Sequence, residues 1–147
     1  MNTLNYDHVS DIMTREVISL GCHHTLYDVR QLMGEYQIRN VPILDSDRRL
    51  MGLVNQKTML REALRLTDAH GYNQLDERMA AIPLSDVLET TFTTLPADTS
   101  LADAGRLLLD HRQVSLPVVD GDILVGMLSV VDYVRMTIDL IDNHDAP

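Results

Sequence analysis

Ser129 and Asp132 stand three residues apart just after a short apolar run, Ile123-Leu124-Val125-Gly126-Met127-Leu128. A run that brief, with a glycine inside it, reads as a buried strand, and Ser129 then falls where a helix N-cap belongs. The free N–H groups of such a helix start, together with a hydroxyl and a carboxylate, could hold a phosphate and a ribose. The same spacing also serves a capping box that needs no ligand. Two further pairs, Thr25-x-x-Asp28 and Ser100-x-x-Asp103, have the same form, with Asp in place of the usual Glu.

Other reactive residues assemble nothing. His23 and His24 are adjacent, cannot face one way in regular structure, and have no third ligand at metal spacing, so they read as loop histidines. Cys22 is the one cysteine and reads as a quiet thiol. The 8 methionines are most simply core filler. No Gly-x-Ser-x-Gly, Walker or Gly-x-Gly-x-x-Gly pattern is present, and no base, nucleophile and oxyanion site come together. The expectation is a non-enzymatic protein with no catalytic residues, metal or cofactor.

Composition agrees with a small globular protein: 45% hydrophobic and 23% charged residues over 147 positions. Twenty-two acidic against 12 basic residues give a net charge of −10, a field that repels nucleic acid and anionic lipid. One cysteine fits a reducing compartment. The first residues lack the apolar core of a secretory signal, and no run approaches the roughly 18–20 apolar residues that span a bilayer. A soluble, cytoplasmic protein without nucleic-acid or membrane partners is expected.

The two halves are copies. Ser10-Asp11-Ile12-Met13 matches Ser85-Asp86-Val87-Leu88 at an offset of 75, and Val41-Pro42-Ile43-Leu44-Asp45 matches Leu116-Pro117-Val118-Val119-Asp120. Past a hairpin tip the offset is 74, pairing Gly52-Leu53-Val54-Asn55 with Gly126-Met127-Leu128-Ser129. Repeats of this kind decide the fold. Each copy predicts a capped turn at Ser10 or Ser85, then an extended segment, Val17–Leu20 or Phe92–Leu95. A helix follows, with its apolar stripe on Leu26, Val29, Leu32, Met33 and Tyr36, or on Leu101, Ala104, Leu107, Leu108 and His111. A hairpin begun by Pro42 or Pro117 comes next, and a closing helix carries Met59, Leu60, Ala63 and Leu64, or Val134, Ile138 and Ile141. Residues 67–83 read as a linker with a turn at Gly71-Tyr72-Asn73 and a partial helix over 75–82; the tail from Asp142 is expected to fray. A copy of about 60 residues is marginal alone, so the sheets are expected to pack on each other, leaving a groove for a ligand.

This pattern, β-α-β-β-α twice over with the strand–Pro–hairpin and the Gly-h-h-Ser-x-x-Asp junction, resembles a tandem CBS-domain pair (a Bateman module). The resemblance implies an α/β (α+β) fold of two CBS repeats, residues 9–66 and 84–141, packed sheet to sheet with pseudo-two-fold symmetry. It further implies a regulatory homodimer that binds AMP, ATP or another adenosyl compound and signals to an effector protein. On that pattern Asp132 would accept from both ribose hydroxyls and Ser129 would donate to phosphate. The base would be gripped around Met13-Thr14, Val17, Ile18 and Ile38, and Arg39 would face phosphate. Arg39 is equally readable as a solvated surface charge. Its counterpart is Val114, with Ser115 beside it, a departure from the pattern. The first junction departs further: Asn55 replaces the hydroxyl and Thr58 the acid, leaving Lys57, an unfavourable cation at a helix start unless an anion is near. One good site at Ser129/Asp132 and one weak or vacant site at Asn55/Lys57/Thr58 are therefore expected. The rival expectation is a structural dimerisation or docking module whose ligand sites have degenerated.

Overall fold

The computed structural model describes residues 5–144. It divides into two compact units, Ile18–Phe92 (the first unit) and the residues up to Val17 with those from Thr93 onward (the second unit). Each unit therefore joins the body of one repeat to the short segment that opens the other repeat.

In the first unit a three-stranded sheet has the order β1 (Leu20–Gly21), β2 (Asn40–Leu44), β3 (Leu50–Asn55). β1 and β2 are parallel and β2 and β3 antiparallel, with Pro42 opposite Leu53. Helix α1 (Leu26–Tyr36) starts at a full capping box: Thr25 Oγ1 accepts the Asp28 N–H and the Asp28 carboxylate accepts the Thr25 N–H. It stops where Gln37 turns left-handed. Helix α2 (Gln56–His70) runs to Gly71, whose φ of 83° suits a residue without a side chain. A 3-10 turn, Tyr72–Gln74, and helix α3 (Leu75–Ala80) follow. The stretch 67–83 is thus largely helical, and Leu75 and Met79 enter a core with Leu26, Val29, Met33, Val41, Ile43, Val54, Met59, Leu66 and Leu84. Full burial of such a side chain contributes about 1.5–3 kcal/mol.

The second unit repeats the plan. Helix α4 (Leu101–His111) leads to the antiparallel pair β4 (Ser115–Asp120) and β5 (Ile123–Ser129), and helix α5 (Val130–His144) closes it. The hairpin tip turns at Gly121, φ 62°. Val9, Met13, Leu95, Ala104, Leu108, Leu116, Val118 and Leu128 form its core. At α4 the cap is half of a box: Ser100 Oγ accepts the Asp103 N–H, while the Asp103 carboxylate pairs with Arg106.

Four expectations are corrected. The extended segments shrink to Leu20–Gly21 and a single bridge of Leu95 to Val118. The next parallel rung would need the N–H of Pro42 or Pro117, which proline lacks. Those prolines lie inside β2 and β4 rather than starting them. His111 and Tyr36, at the ends of their helices' stripes, are exposed. Asp142, Asn143 and His144 continue α5; residues 145–147 lie outside the described residues. The closing helices also leave much apolar surface uncovered: Leu60 and Leu64 on α2, and Val130, Val134, Ile138 and Ile141 on α5, are all exposed.

One glycine per unit permits a close backbone approach. A Cβ on Gly126 would meet the Met13 sulfur at 2.7 Å and the Thr14 carbonyl oxygen at 2.9 Å; one on Gly52 would meet Leu88 and, at 2.7 Å, the Glu89 carbonyl oxygen. By contrast, a Cβ on Gly34 in α1 meets nothing within 4 Å. In urea titrations Gly126→Ala should therefore lose about 1–3 kcal/mol through overpacking against main chain, while Gly34→Ala should gain about 0.5–1 kcal/mol.

Candidate functional site

The close approach at Gly126 builds the junction of β5 and α5. Met127 faces Pro117 across the hairpin in a rung where its own peptide groups point away from β4. They are taken up by Thr14: the Thr14 N–H donates to the Met127 carbonyl and the Met127 N–H to the Thr14 carbonyl, both at 2.9 Å. The turn that delivers Thr14 is held by Asp11, whose carboxylate accepts the N–H groups of His8 and Asp7 at 2.9 Å each. Those two bonds keep its pKa below the usual carboxylate value.

Thr14 is thereby set against Asp132. Its hydroxyl donates to Asp132 Oδ1 at 3.4 Å, while Oδ2 accepts the Ser129 N–H at 2.8 Å. Ser129 Oγ in turn accepts the Asp132 N–H at 3.3 Å, and the Val130 N–H donates to the Val114 carbonyl at 3.0 Å. Asp132 is 4% exposed, one of two buried polar residues identified among the described residues, the other being Thr58 at 7%. A carboxylate this buried, with one oxygen fixed by a short main-chain bond and the other by a long bond from a hydroxyl, is suited to exchange that hydroxyl for a ligand's. Tyr133, the next residue, donates its hydroxyl to the Leu101 carbonyl at 2.7 Å, and burial raises its pKa.

The first unit carries the counterpart. Leu53, opposite Pro42, exchanges two backbone bonds with Glu89, at 3.0 and 2.8 Å. The Gln56 N–H donates to the Arg39 carbonyl at 2.8 Å, as Val130 does to Val114. Asn55 Oδ1 accepts the Thr58 N–H at 2.8 Å and its Nδ2 donates to Glu89 Oε2 at 3.3 Å. The sequence reading left this junction without an acid; the structure supplies one in Glu89.

Of the nine residues expected at the main site, six lie in the second unit: Thr14, Val17, Val114, Ser115, Ser129 and Asp132. Thr14, Ser129 and Asp132 meet directly, Ser115 pairs with Ser129 across the hairpin, and Val114 contributes its carbonyl rather than a side chain. Ile18, Ile38 and Arg39 belong to the first unit, where Ile38 packs on the core and the Arg39 side chain is exposed. Lys57 is exposed as well. Glu89 and Gly126 were missed as site residues, although the repeat offset of 75 carries Thr14 onto Glu89. No group of three or more His, Cys, Asp and Glu able to hold a metal occurs among the described residues, and none of their helices is long and apolar enough to cross a membrane.

Comparison with known proteins places this geometry. The CBS domain family model matches residues 9–65 and 84–138, and the chain belongs to that family. Its fold is similar to that of a Vibrio cholerae protein described as acetoin utilization protein AcuB, with a TM-score of 0.77, 30% identity, and 95% and 98% of the two chains covered. It is also similar to CBSX2 in complex with AMP, with a TM-score of 0.75, 25% identity, and 90% and 97% covered. The CBS domain-containing protein YhcV of Bacillus subtilis is 29% identical over 84% of this chain and 81% of its own. The first curated relatives matched are longer: the chain spans 32% of one and 21% of another, an inosine-5'-monophosphate dehydrogenase of Bifidobacterium longum.

The cap at α2 can be checked by a single substitution, which also removes the exposed Asn55–Glu89 bond. Asn55→Ala removes the acceptor for the Thr58 N–H, and chemical denaturation should show a loss of about 1 kcal/mol.

Proposed function

We propose that this chain is a regulatory, non-enzymatic module that binds an adenine nucleotide or adenosyl compound, with Asp132 as the acceptor for the ribose hydroxyls. The observation that carries the reading is the buried Asp132 carboxylate, held by Ser129 and bonded at 3.4 Å by the Thr14 hydroxyl. A ribose diol offers two donors to such a carboxylate, and the start of α5 with Ser129 suits a phosphate. The AMP complex of a relative at 25% identity supports the adenosyl class. The reading gives no residue a catalytic task and needs no cofactor or metal.

The uncovered stripe Val130, Val134, Ile138 and Ile141 on α5, with Leu60 and Leu64 on α2, supports a homodimer built on these helices, and an effector protein would read the ligand-bound form. It equally favours the second reading, a docking module without a ligand. A cytoplasmic location fits the acidic composition and single thiol.

AMP distinguishes the two. At a hundredfold excess over its Kd it should add about 2.7 kcal/mol to the unfolding free energy and raise Tm by roughly 5–10 °C. A flat titration to millimolar AMP contradicts ligand binding and leaves the docking module. Asp132→Ala should abolish AMP binding in calorimetry while the variant still unfolds cooperatively; unchanged affinity removes Asp132 from the site.

A further inference from the structure

We infer that Glu89 is a specificity-determining residue that closes the β3–α2 junction to nucleotides, so that each chain takes one nucleotide and not two. The inference rests on the ligand reading above and concerns the other junction.

The two junctions are built alike and differ in which side carries the acid. At the repeat offsets Thr14 corresponds to Glu89, Ser129 to Asn55 and Asp132 to Thr58. The backbone bridges are the same: Thr14 with Met127, Glu89 with Leu53, each made by two N–H···O bonds beside a glycine that makes room. The side chain of residue 89 is therefore presented to its helix start as that of Thr14 is. In the second unit the hydroxyl is on the bridging segment and the carboxylate is buried at the third helical residue. In the first unit they have changed places: the third residue is the buried Thr58, and the carboxylate of Glu89 is exposed on the bridging segment.

The exchange has three chemical consequences. Thr58 cannot accept from two ribose hydroxyls with the strength of a carboxylate. Asn55 has an amide in place of the hydroxyl, and that amide is turned to the protein, its Oδ1 accepting the Thr58 N–H and its Nδ2 donating one hydrogen to Glu89 Oε2. Glu89 itself puts a negative charge beside the α2 start, the place a phosphate would occupy, and repels it. Glu89 acts as a built-in competitor.

The test is the calorimetric stoichiometry of AMP for three full-length chains. Wild type and Asn55→Ser/Thr58→Asp, which retains Glu89, should each bind one AMP per chain. Adding Glu89→Thr makes the first junction a copy of the second, and the triple variant should bind two. Two AMP on wild type, a second AMP on the variant that keeps Glu89, or no second AMP on a triple variant that unfolds cooperatively when wild type binds one, would each overturn the inference. The reverse change, Thr14→Glu at an exposed position, should weaken AMP binding by at least about 100-fold through like charge; an unchanged Kd overturns it too. Failure of the ligand reading looks different. If wild type binds one AMP and the triple variant still binds one, the ligand reading stands and the inference alone falls; if neither binds AMP, the ligand reading falls and the inference with it.

Discussion

Two backbone hydrogen bonds between Thr14 and Met127, copied between Glu89 and Leu53, are the constraint on which both junctions depend. They exist because each bridged residue sits in a hairpin rung whose own peptide groups point outward, and a glycine precedes it in the strand. Pro117 and Pro42 lack an N–H, which limits the parallel ladder on their outer edge to a residue or two. Met127 and Leu53, facing them, turn their peptide groups away from the hairpin, where an unpaired N–H or carbonyl would be costly if buried. Gly126 and Gly52 then let the bridging segment approach to a distance that no side chain would allow. The segment that satisfies each strand comes from the opening of the other repeat, so the same contact that completes the hydrogen bonding delivers a side chain to a helix start.

Much of this was legible in the sequence, and the reasons are local. The duplication is written in matched residues, and the helices announce themselves by capping pairs such as Thr25/Asp28. The hairpin tip at Gly121 follows from chemistry confined to a few adjacent positions. Ser129 and Asp132 were legible because a cap and its acid lie three residues apart on one turn. What was not legible is whatever depends on which segment crosses over. Glu89 is 34 residues from Asn55, and Thr14 is 118 from Asp132. No local pattern couples such pairs, although the offset of the repeat would have carried one onto the other. The brevity of β1 was hidden for a related reason, since an apolar, β-branched segment forms a strand only if its neighbour can donate. The length of 67–83 had no evident purpose in the sequence; Leu75 and Met79 show that it completes the first unit's core.

Duplication followed by exchange of two side-chain types makes the junctions unequal while keeping their backbones alike. In one, a buried carboxylate is paired with a long hydroxyl bond. In the other, an amide and an exposed carboxylate occupy each other. The backbone bridge is the same with Thr14 or Glu89 on the crossing segment, so the two junctions differ in side-chain chemistry without a difference in their main-chain hydrogen bonds. The exposed apolar stripes on α2 and α5 lie on the closing helices and are independent of that choice.

The most direct measurement is a crystal structure of the chain with AMP bound. The account predicts both ribose hydroxyls within about 2.5–3.0 Å of the Asp132 carboxylate oxygens, with the Thr14 hydroxyl displaced from Oδ1. AMP seated away from Asp132, with the Thr14–Asp132 bond intact, would contradict it.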